Sequence, residues 1–399
     1  MPGPTRTHLT DFRGAARMAV DATMGIVDVV ERMHRTIQLV PAPLGKPKEG
    51  ATRGITGFVY RSIRGSTRLI GRGLDASLAP LADLLPEGET TAGREAFVSA
   101  VNGTHGDYLA RTGNPLAISM SLRHQGRPVS ATCPQDTLGQ AAGTALTGKL
   151  LVLAHGLCMN DLRWNREGFD HGAALADELG YTPLYLRYNS GRRVGENGRE
   201  FAALLEALVA HWPRPVEELT IVGHSMGGLV ARSACHYGGQ QEHAWLRHLR
   251  RLVFLGTPHH GSPVERGSRG LLTVMDLSPY SAPLTRIGKS VSAGIQDLRH
   301  GAVTTEGNGF ARLPRNVRCY AAAATLGARR SLLADRLVGD GLVPLDSALG
   351  RHPDRSRALG LPPARRWIGY EMGHLELLHR PEVYSQLRAW LQEPVGTAE

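Results

Sequence analysis

Leu219-Thr220-Ile221-Val222-Gly223-His224-Ser225-Met226-Gly227-Gly228-Leu229-Val230 is the stretch that decides the fold. An apolar, β-branched run enters Gly-x-Ser-x-Gly and leaves as a helical pattern. The spacing predicts a strand, a sharp turn and a helix, with Ser225 in a strained conformation at the apex. Gly223 and Gly227 flank it because a side chain at either would collide where strand and helix cross. The amide of Met226 opens the helix and can stabilise negative charge on a nearby carbonyl oxygen.

A second marker lies upstream. Lys149-Leu150-Leu151-Val152-Leu153-Ala154 is wholly apolar after its lysine, as a central parallel strand buried on both faces must be, and His155-Gly156-Leu157 follows at once. Gly156 lets the backbone swing so that the amide of Leu157 converges with that of Met226, giving two donors where an oxyanion would form. His155 reads as a turn histidine bonded to local backbone.

Between and beyond these markers the chain alternates helix and strand. A helix over Ala173–Leu179 leads to a strand over Thr182–Tyr188, and Asn197 with Glu200 reads as a capping box for a helix over Phe201–His211. Leu252-Val253-Phe254-Leu255-Gly256-Thr257-Pro258-His259-His260-Gly261-Ser262 is another buried strand ending in a turn. His259 or His260 could line a pocket at the carboxyl end of that strand. Residues 263–314 are long for a connection and carry helical patterns that include Leu284, Ile287, Val291, Ile295 and Leu298. An insertion there is a cap, either a moving lid or a fixed one.

Two polar residues in the last strand-end loops complete a chemical set. In Val338-Gly339-Asp340-Gly341-Leu342-Val343-Pro344 a carboxylate sits between two glycines after a strand over Val317–Ala323. Asp335, Asp346 and Asp354 lack that setting. In Glu371-Met372-Gly373-His374-Leu375 an imidazole follows the strand Trp367–Tyr370, before the closing helix. Nucleophile, acid and base in the order Ser225, Asp340, His374 is the chain order of an α/β-hydrolase triad.

Together these motifs resemble the α/β-hydrolase superfamily and, within it, bacterial esterases and lipases of the GPI inositol-deacylase-like and triacylglycerol-lipase-like group. The resemblance covers about residues 114–392. It implies a mostly parallel sheet with helices on both faces and a helical cap. It also implies a serine hydrolase acting on acyl-ester or lipid substrates, with neither metal nor organic cofactor. Acyl transfer through the same triad, or a lipid-surface or scaffold role on a hydrolase fold, are the alternatives.

The amino-terminal segment, residues 1–112, is outside what that fold requires; the catalytic domain is expected over 113–399. Over residues 11–38, Phe12, Ala16, Ala19, Val20, Ile26, Val27, Val30, Met33 and Ile37 make one amphipathic helix, and Ile55, Phe58, Val59, Ile63, Leu69, Ile70, Leu74 and Leu78 a second. The second carries Arg53, Arg61, Arg64, Arg68 and Arg72 with no acid from Ala51 to Leu74. Residues 51–80 therefore suit either a packed helical hairpin or peripheral contact with an anionic membrane. Residues 94–110 form a third short helix, and the alternation of Pro115–Arg123 predicts a strand.

Composition narrows the classes. The 399 residues are 42% hydrophobic and 21% charged, with a formal net charge of +10. No nucleic-acid-binding signature accompanies that charge. The four cysteines, Cys133, Cys158, Cys235 and Cys319, are far apart and read as reduced thiols. The chain has no membrane-span-length apolar run and its start lacks the pattern of a secretory signal, so the expected location is cytoplasmic, peripheral to a membrane at most.

Overall fold

The computed structural model describes residues 6–39, 54–84, 91–138, 146–262, 292–307, 309–328 and 339–394. Contacts divide the chain into two units, Met1–Thr91 with Arg111–Leu116, and Ala92–Ala110 with Ala117–Glu399.

The first unit contains α1 (Arg6–Leu39) and α2 (Gly54–Leu84). Arg13 and Arg17 of α1 both hold Asp75 near the end of α2, while Arg64 of α2 reaches Asp28 and Glu31 of α1. Early residues of one helix thus meet late residues of the other, which makes the pair an antiparallel hairpin. Gly71 is the point of close approach: a Cβ there would lie 2.9 Å from Val20 Cγ2. The chain from Arg111 to Leu116 joins this unit through Asn114, whose Nδ2 donates to the Gly14 carbonyl at 3.0 Å.

The second unit is an α/β-hydrolase fold. Its strands are β1 (Ser121–His124), β2 (Arg127–Val129), β3 (Lys149–Ala154), β4 (Thr182–Arg187), β5 (Glu218–His224), β6 (Leu249–Leu255), β7 (Arg318–Thr325) and β8 (Arg366–Tyr370). They form one sheet in the order β8-β7-β6-β5-β3-β4-β1-β2. The run from β4 to β8 is parallel, and the β1–β2 hairpin closes one edge antiparallel to β4. Because β3 lies between β4 and β5, the chain reverses its direction of travel across the sheet there. Ligands of open α/β sheets bind outside the carboxyl ends of strands at such a reversal.

Alternation along the central strands fills both faces. Leu150, Val152 and Ala154 of β3 join Ile221, Leu252 and Phe254 in one apolar layer. Leu151 and Leu153 join Val222, Val253 and Tyr320 in the other. Helices α5 (Val194–Ala210) and α6 (Met226–Gln240) bury Phe201, Leu205, Leu229 and Val230 against the first layer. Helices α4 (His171–Leu179) and α8 (Pro381–Gln392) bury Leu175, Val383, Leu387 and Trp390 against the second.

Several expectations are corrected. The third helix, α3 (Ala92–Arg111), groups with the second unit up to Ala110 rather than with the amino-terminal segment. Its buried Glu95 pairs with Arg187 of β4 at 2.6 Å, and its Gly103 and Gly106 press on the loops after β3 and β4. The strand anticipated from Pro115 starts only at Ser121, where pairing to Arg187 begins. Helix α5 starts at Val194, not Phe201. Asn197 lies inside it, and its Nδ2 donates to the Asn189 carbonyl at 2.9 Å, while Glu200 accepts from Arg192. The anticipated cap falls largely on residues outside those described; its described part includes α7 (Ala293–His300).

Candidate active site

The serine turn has the conformation its sequence requires. Ser225 follows the last residue of β5 and precedes α6 with φ 53° and ψ −123°. That left-handed φ is costly for a non-glycine residue and is held by its surroundings. Ser225 N donates to the Leu255 carbonyl at 2.8 Å, and Gly228 N donates to the Ser225 carbonyl at 3.1 Å. The flanking glycines are sterically obligatory: a Cβ on Gly223 would stand 2.5 Å from Gly228 Cα, and one on Gly227 2.1 Å from the Ala154 carbonyl oxygen.

The loop after β3 meets this turn directly. A Cβ on Gly156 would be 3.1 Å from Ser225 Cβ. Leu157 follows, and Cys158 adopts φ 57°, with its amide donating to Ser190 Oγ at 3.1 Å. The Met226 amide is at the first position of α6, where no intrahelical acceptor exists. His155 is buried; its Nδ1 lies 2.8 Å from the Gly156 carbonyl, its ring stacks on Tyr188 at 4.3 Å, and Tyr188 donates to its carbonyl. That is the local role the sequence suggests.

Asp340 and His374 come together although 34 residues separate them. His374 Nδ1 lies 2.6 Å from Asp340 Oδ2, and both side chains are buried. Asp340 Oδ1 accepts from the amides of Leu342 at 3.0 Å and Val343 at 2.8 Å. Gly339 and Gly341, with φ 53° and 92°, give the backbone the bend that aims the carboxylate. Asp346 and Asp354 are spent elsewhere, on Arg351 and on a turn with Ser356, and Asp335 lies outside the described residues.

Ser225 and His374 line one cavity with Leu157, Met159, Pro258, Leu298, Leu342, Val343 and Leu375. Apart from Ser225, His374, His224 and Ser262, that wall is apolar. Leu298 comes from α7, so the described part of the cap region does contribute to it. The histidines after β6 do not line the cavity: Pro258 and Ser262 take that position. His259 turns inward against Phe254 and Arg232, and His260 lies 4.8 Å from the His352 ring. A larger cavity of about 360 Å³ near His124, Asp161, Asp170 and Tyr185 contains none of these groups. Among the described residues, no cluster of three or more His, Cys, Asp or Glu is placed to hold a metal ion.

Two supports were not legible in the sequence. His224, the variable residue before the serine, lies under His374: the rings are 4.7 Å apart and His224 Nε2 donates to the His374 carbonyl at 3.2 Å. Burial pushes His224 well below the ordinary histidine range, with His374 adding to the effect, so it stays neutral beside His374. The other support is α3. A Cβ on Gly103 would fall 2.2 Å from Cys158 Sγ and 2.9 Å from Cys158 Cα, so the helix braces the turn that carries the Leu157 amide. Gly103→Ala should therefore cost about 1–3 kcal/mol of stability by overpacking, and lower kcat about 10–100-fold by shifting the Leu157 amide that the sequence suggests as an oxyanion donor. An unchanged kcat in the folded variant would remove α3 from any role at the site. Gly25→Ala, with nothing within 4 Å of the added methyl, is the control.

The buried histidines also set an acid limit. Burial pulls His155 and His171 down to about 4, and carries His224 and His259 well below the ordinary value. The unfolded chain then binds protons first as pH falls below about 6.5. Stability should be full above that pH and decline toward pH 4, by up to about 1.4 kcal/mol per unit for each such histidine. The carboxyls of Asp161 and Asp297, raised by burial, act in the opposite sense. Urea unfolding midpoints at pH 7 and pH 5 check this; equal midpoints would contradict it.

A family model described as the PGAP1-like alpha/beta domain matches residues 202–277, which begin within α5 and take in β5, the serine turn, α6 and β6. Among solved structures, the mature form of a Bacillus licheniformis lipase is 19% identical, with 61% of this chain and 91% of that chain covered and a TM-score of 0.40. An Aspergillus fumigatus lipase is 14% identical over 69% and 57%, with a TM-score of 0.38. A Pyrococcus furiosus esterase is 15% identical over 63% and 84%, also at 0.38. Among curated proteins no sequence match was found.

Proposed function

We propose that this α/β-hydrolase chain is a serine hydrolase of carboxylic esters, working on acyl-ester or lipid substrates. The observation that carries the reading is the buried 2.6 Å bond from His374 to Asp340, beside a cavity that the positive-φ Ser225 shares with His374. Ser225 Oγ attacks the ester carbonyl carbon while His374 Nε2 takes its proton. The amides of Leu157 and Met226 receive the oxyanion. The tetrahedral adduct expels the alcohol, which leaves with the proton from His374, and an acyl-enzyme remains. Water then attacks the acyl carbon, giving its proton to His374, and the second tetrahedral adduct collapses by breaking the bond to Ser225 Oγ, which takes that proton from His374 as the acid is released.

Asp340 holds the proton on Nδ1, so Nε2 presents a lone pair, and it stabilises the imidazolium formed in each step. The apolar wall formed by Leu157, Met159, Leu298, Leu342, Val343 and Leu375 suits an acyl chain better than a charged one. Cys158 is no rival nucleophile: burial pushes its thiol up to about 12. A fluorophosphonate probe tests the reading. Labelling that disappears in Ser225→Ala supports it, and labelling that persists there rejects it. A p-nitrophenyl ester series of increasing chain length then reads the acyl preference. Added alcohols separate hydrolysis from acyl transfer, since only transfer accumulates a new ester.

A further inference from the structure

Helix α2 turns its charged side to α1 and its apolar side to solvent. Taken around the helix at about 100° per residue, Tyr60, Arg64, Gly71 and Asp75 form the face that meets α1. There Arg64 pairs with Asp28 and Glu31, and Asp75 with Arg13 and Arg17. The opposite arc holds Phe58, Val59, Ile63, Leu69, Ile70 and Leu74. Leu69 is 74% exposed, Ile70 67% and Phe58 65%. Six large apolar side chains gathered on one side of a helix, Phe58 with Leu69 and Val59 with Ile63, Ile70 and Leu74, with only the small Ser62, Ser66 and Gly73 between the two groups, are not the scattered exposed residues of an ordinary surface. Arg61, Arg68 and Arg72, all exposed, border this arc on the Phe58–Leu69 side. From Gly54 to Leu78 the one acid is Asp75, already engaged by two arginines.

From this arrangement we infer that the outer face of α2 docks on an anionic lipid surface, lying in the plane of the interface with its apolar arc among the acyl chains and Arg61, Arg68 and Arg72 at the headgroups. Charge complementarity selects this occupant. An apolar arc alone would suit a second copy of the chain equally, but a second copy would set the three arginines against their equivalents. Anionic headgroups would instead meet a row of cations with long stems able to extend out of the apolar layer. The hairpin with α1 supplies the order that α2, with five glycines between Gly54 and Gly73, would lack in isolation. No helix among the described residues is long and apolar enough to cross a membrane, so this contact is one of lying on the surface.

The experiment is cosedimentation of the full chain with vesicles of phosphatidylcholine alone and of equimolar phosphatidylcholine and phosphatidylglycerol. The protein should pellet with the mixed vesicles and much less with the neutral ones, and the difference should shrink as salt is raised. Leu69→Ser/Ile70→Ser should lower partitioning at least about tenfold, and Arg61→Gln/Arg68→Gln/Arg72→Gln more than about tenfold on the anionic vesicles only. All five side chains are exposed, so both variants should retain the wild-type melting temperature. Failure of the wild-type chain to pellet with anionic vesicles, or unchanged pelleting of both variants, would overturn the inference. So would a dimer seen by sedimentation velocity that Leu69→Ser/Ile70→Ser abolishes, with no vesicle binding. Ser225→Ala should pellet as the wild type does, so the lipid contact stands or falls separately from the ester chemistry.

Discussion

Ser225→Ala should lower kcat/KM for a p-nitrophenyl ester by up to about a million-fold, His374→Ala should do nearly the same, and the double variant should fall little further. The non-additivity follows from how the two groups act. On the proposed mechanism the hydroxyl is a weak nucleophile until the imidazole takes its proton, so removing either abolishes the same step. What remains is the pull of the Leu157 and Met226 amides on a carbonyl attacked directly by water, about a thousand-fold or somewhat more over solution. Measured stability should change little in Ser225→Ala, because the strained backbone at φ 53° is held by Gly223, Gly227 and the bond to the Leu255 carbonyl rather than by the hydroxyl. Burst kinetics with a slowly deacylating ester should show an acyl-enzyme in the wild type and none in either variant. Turnover by Ser225→Ala within tenfold of the wild type would reject the nucleophile assignment.

The parts of the site that could be read in advance are those dictated by local chemistry. Gly-x-Ser-x-Gly after an apolar strand has one comfortable geometry, and the collisions at Gly223 and Gly227 are the reason. The wholly apolar β3 had to be central because both of its faces are covered. Asp340 stood out because glycines on both sides free its backbone. Long-range supports have no such local signature. Nothing near His224 announces that its imidazole will sit under a residue 150 positions away. Nothing in α3 announces that Gly103 is small because Cys158 occupies the space of its side chain. The capping box at Asn197 failed for a related reason: tertiary bonding to the Asn189 carbonyl outweighed the local pattern, and α5 began two turns earlier. The stripe on α2 was visible as periodicity. Which side of the helix would meet α1 was not, because a 3.6-residue repeat marks a face without naming what covers it.

Asp340→Asn should be the sharper probe of mechanism, with a loss of about 10⁴ in kcat and a fold left intact. The amide oxygen can keep the bonds that Oδ1 accepts from Leu342 and Val343, so the loop retains its anchors. The amide nitrogen then faces His374 Nδ1 and donates where Oδ2 had accepted. His374 must answer with a bare Nδ1, which moves its proton to Nε2, the atom that has to receive the proton of Ser225. The base is present, correctly placed and in the wrong tautomer. Asp340→Ala tests something else: it leaves the two amide donors and an imidazole N–H buried without acceptors, at a cost of about 1–3 kcal/mol for each unsatisfied group. Its activity loss would therefore mix unfolding with chemistry. Comparing the two by thermal melting and by the rate of fluorophosphonate labelling separates these effects. Asp340→Asn should melt near the wild type and label far more slowly, while Asp340→Ala should melt lower. Wild-type labelling by Asp340→Asn would mean that the carboxylate holds the loop and has no part in orienting the base.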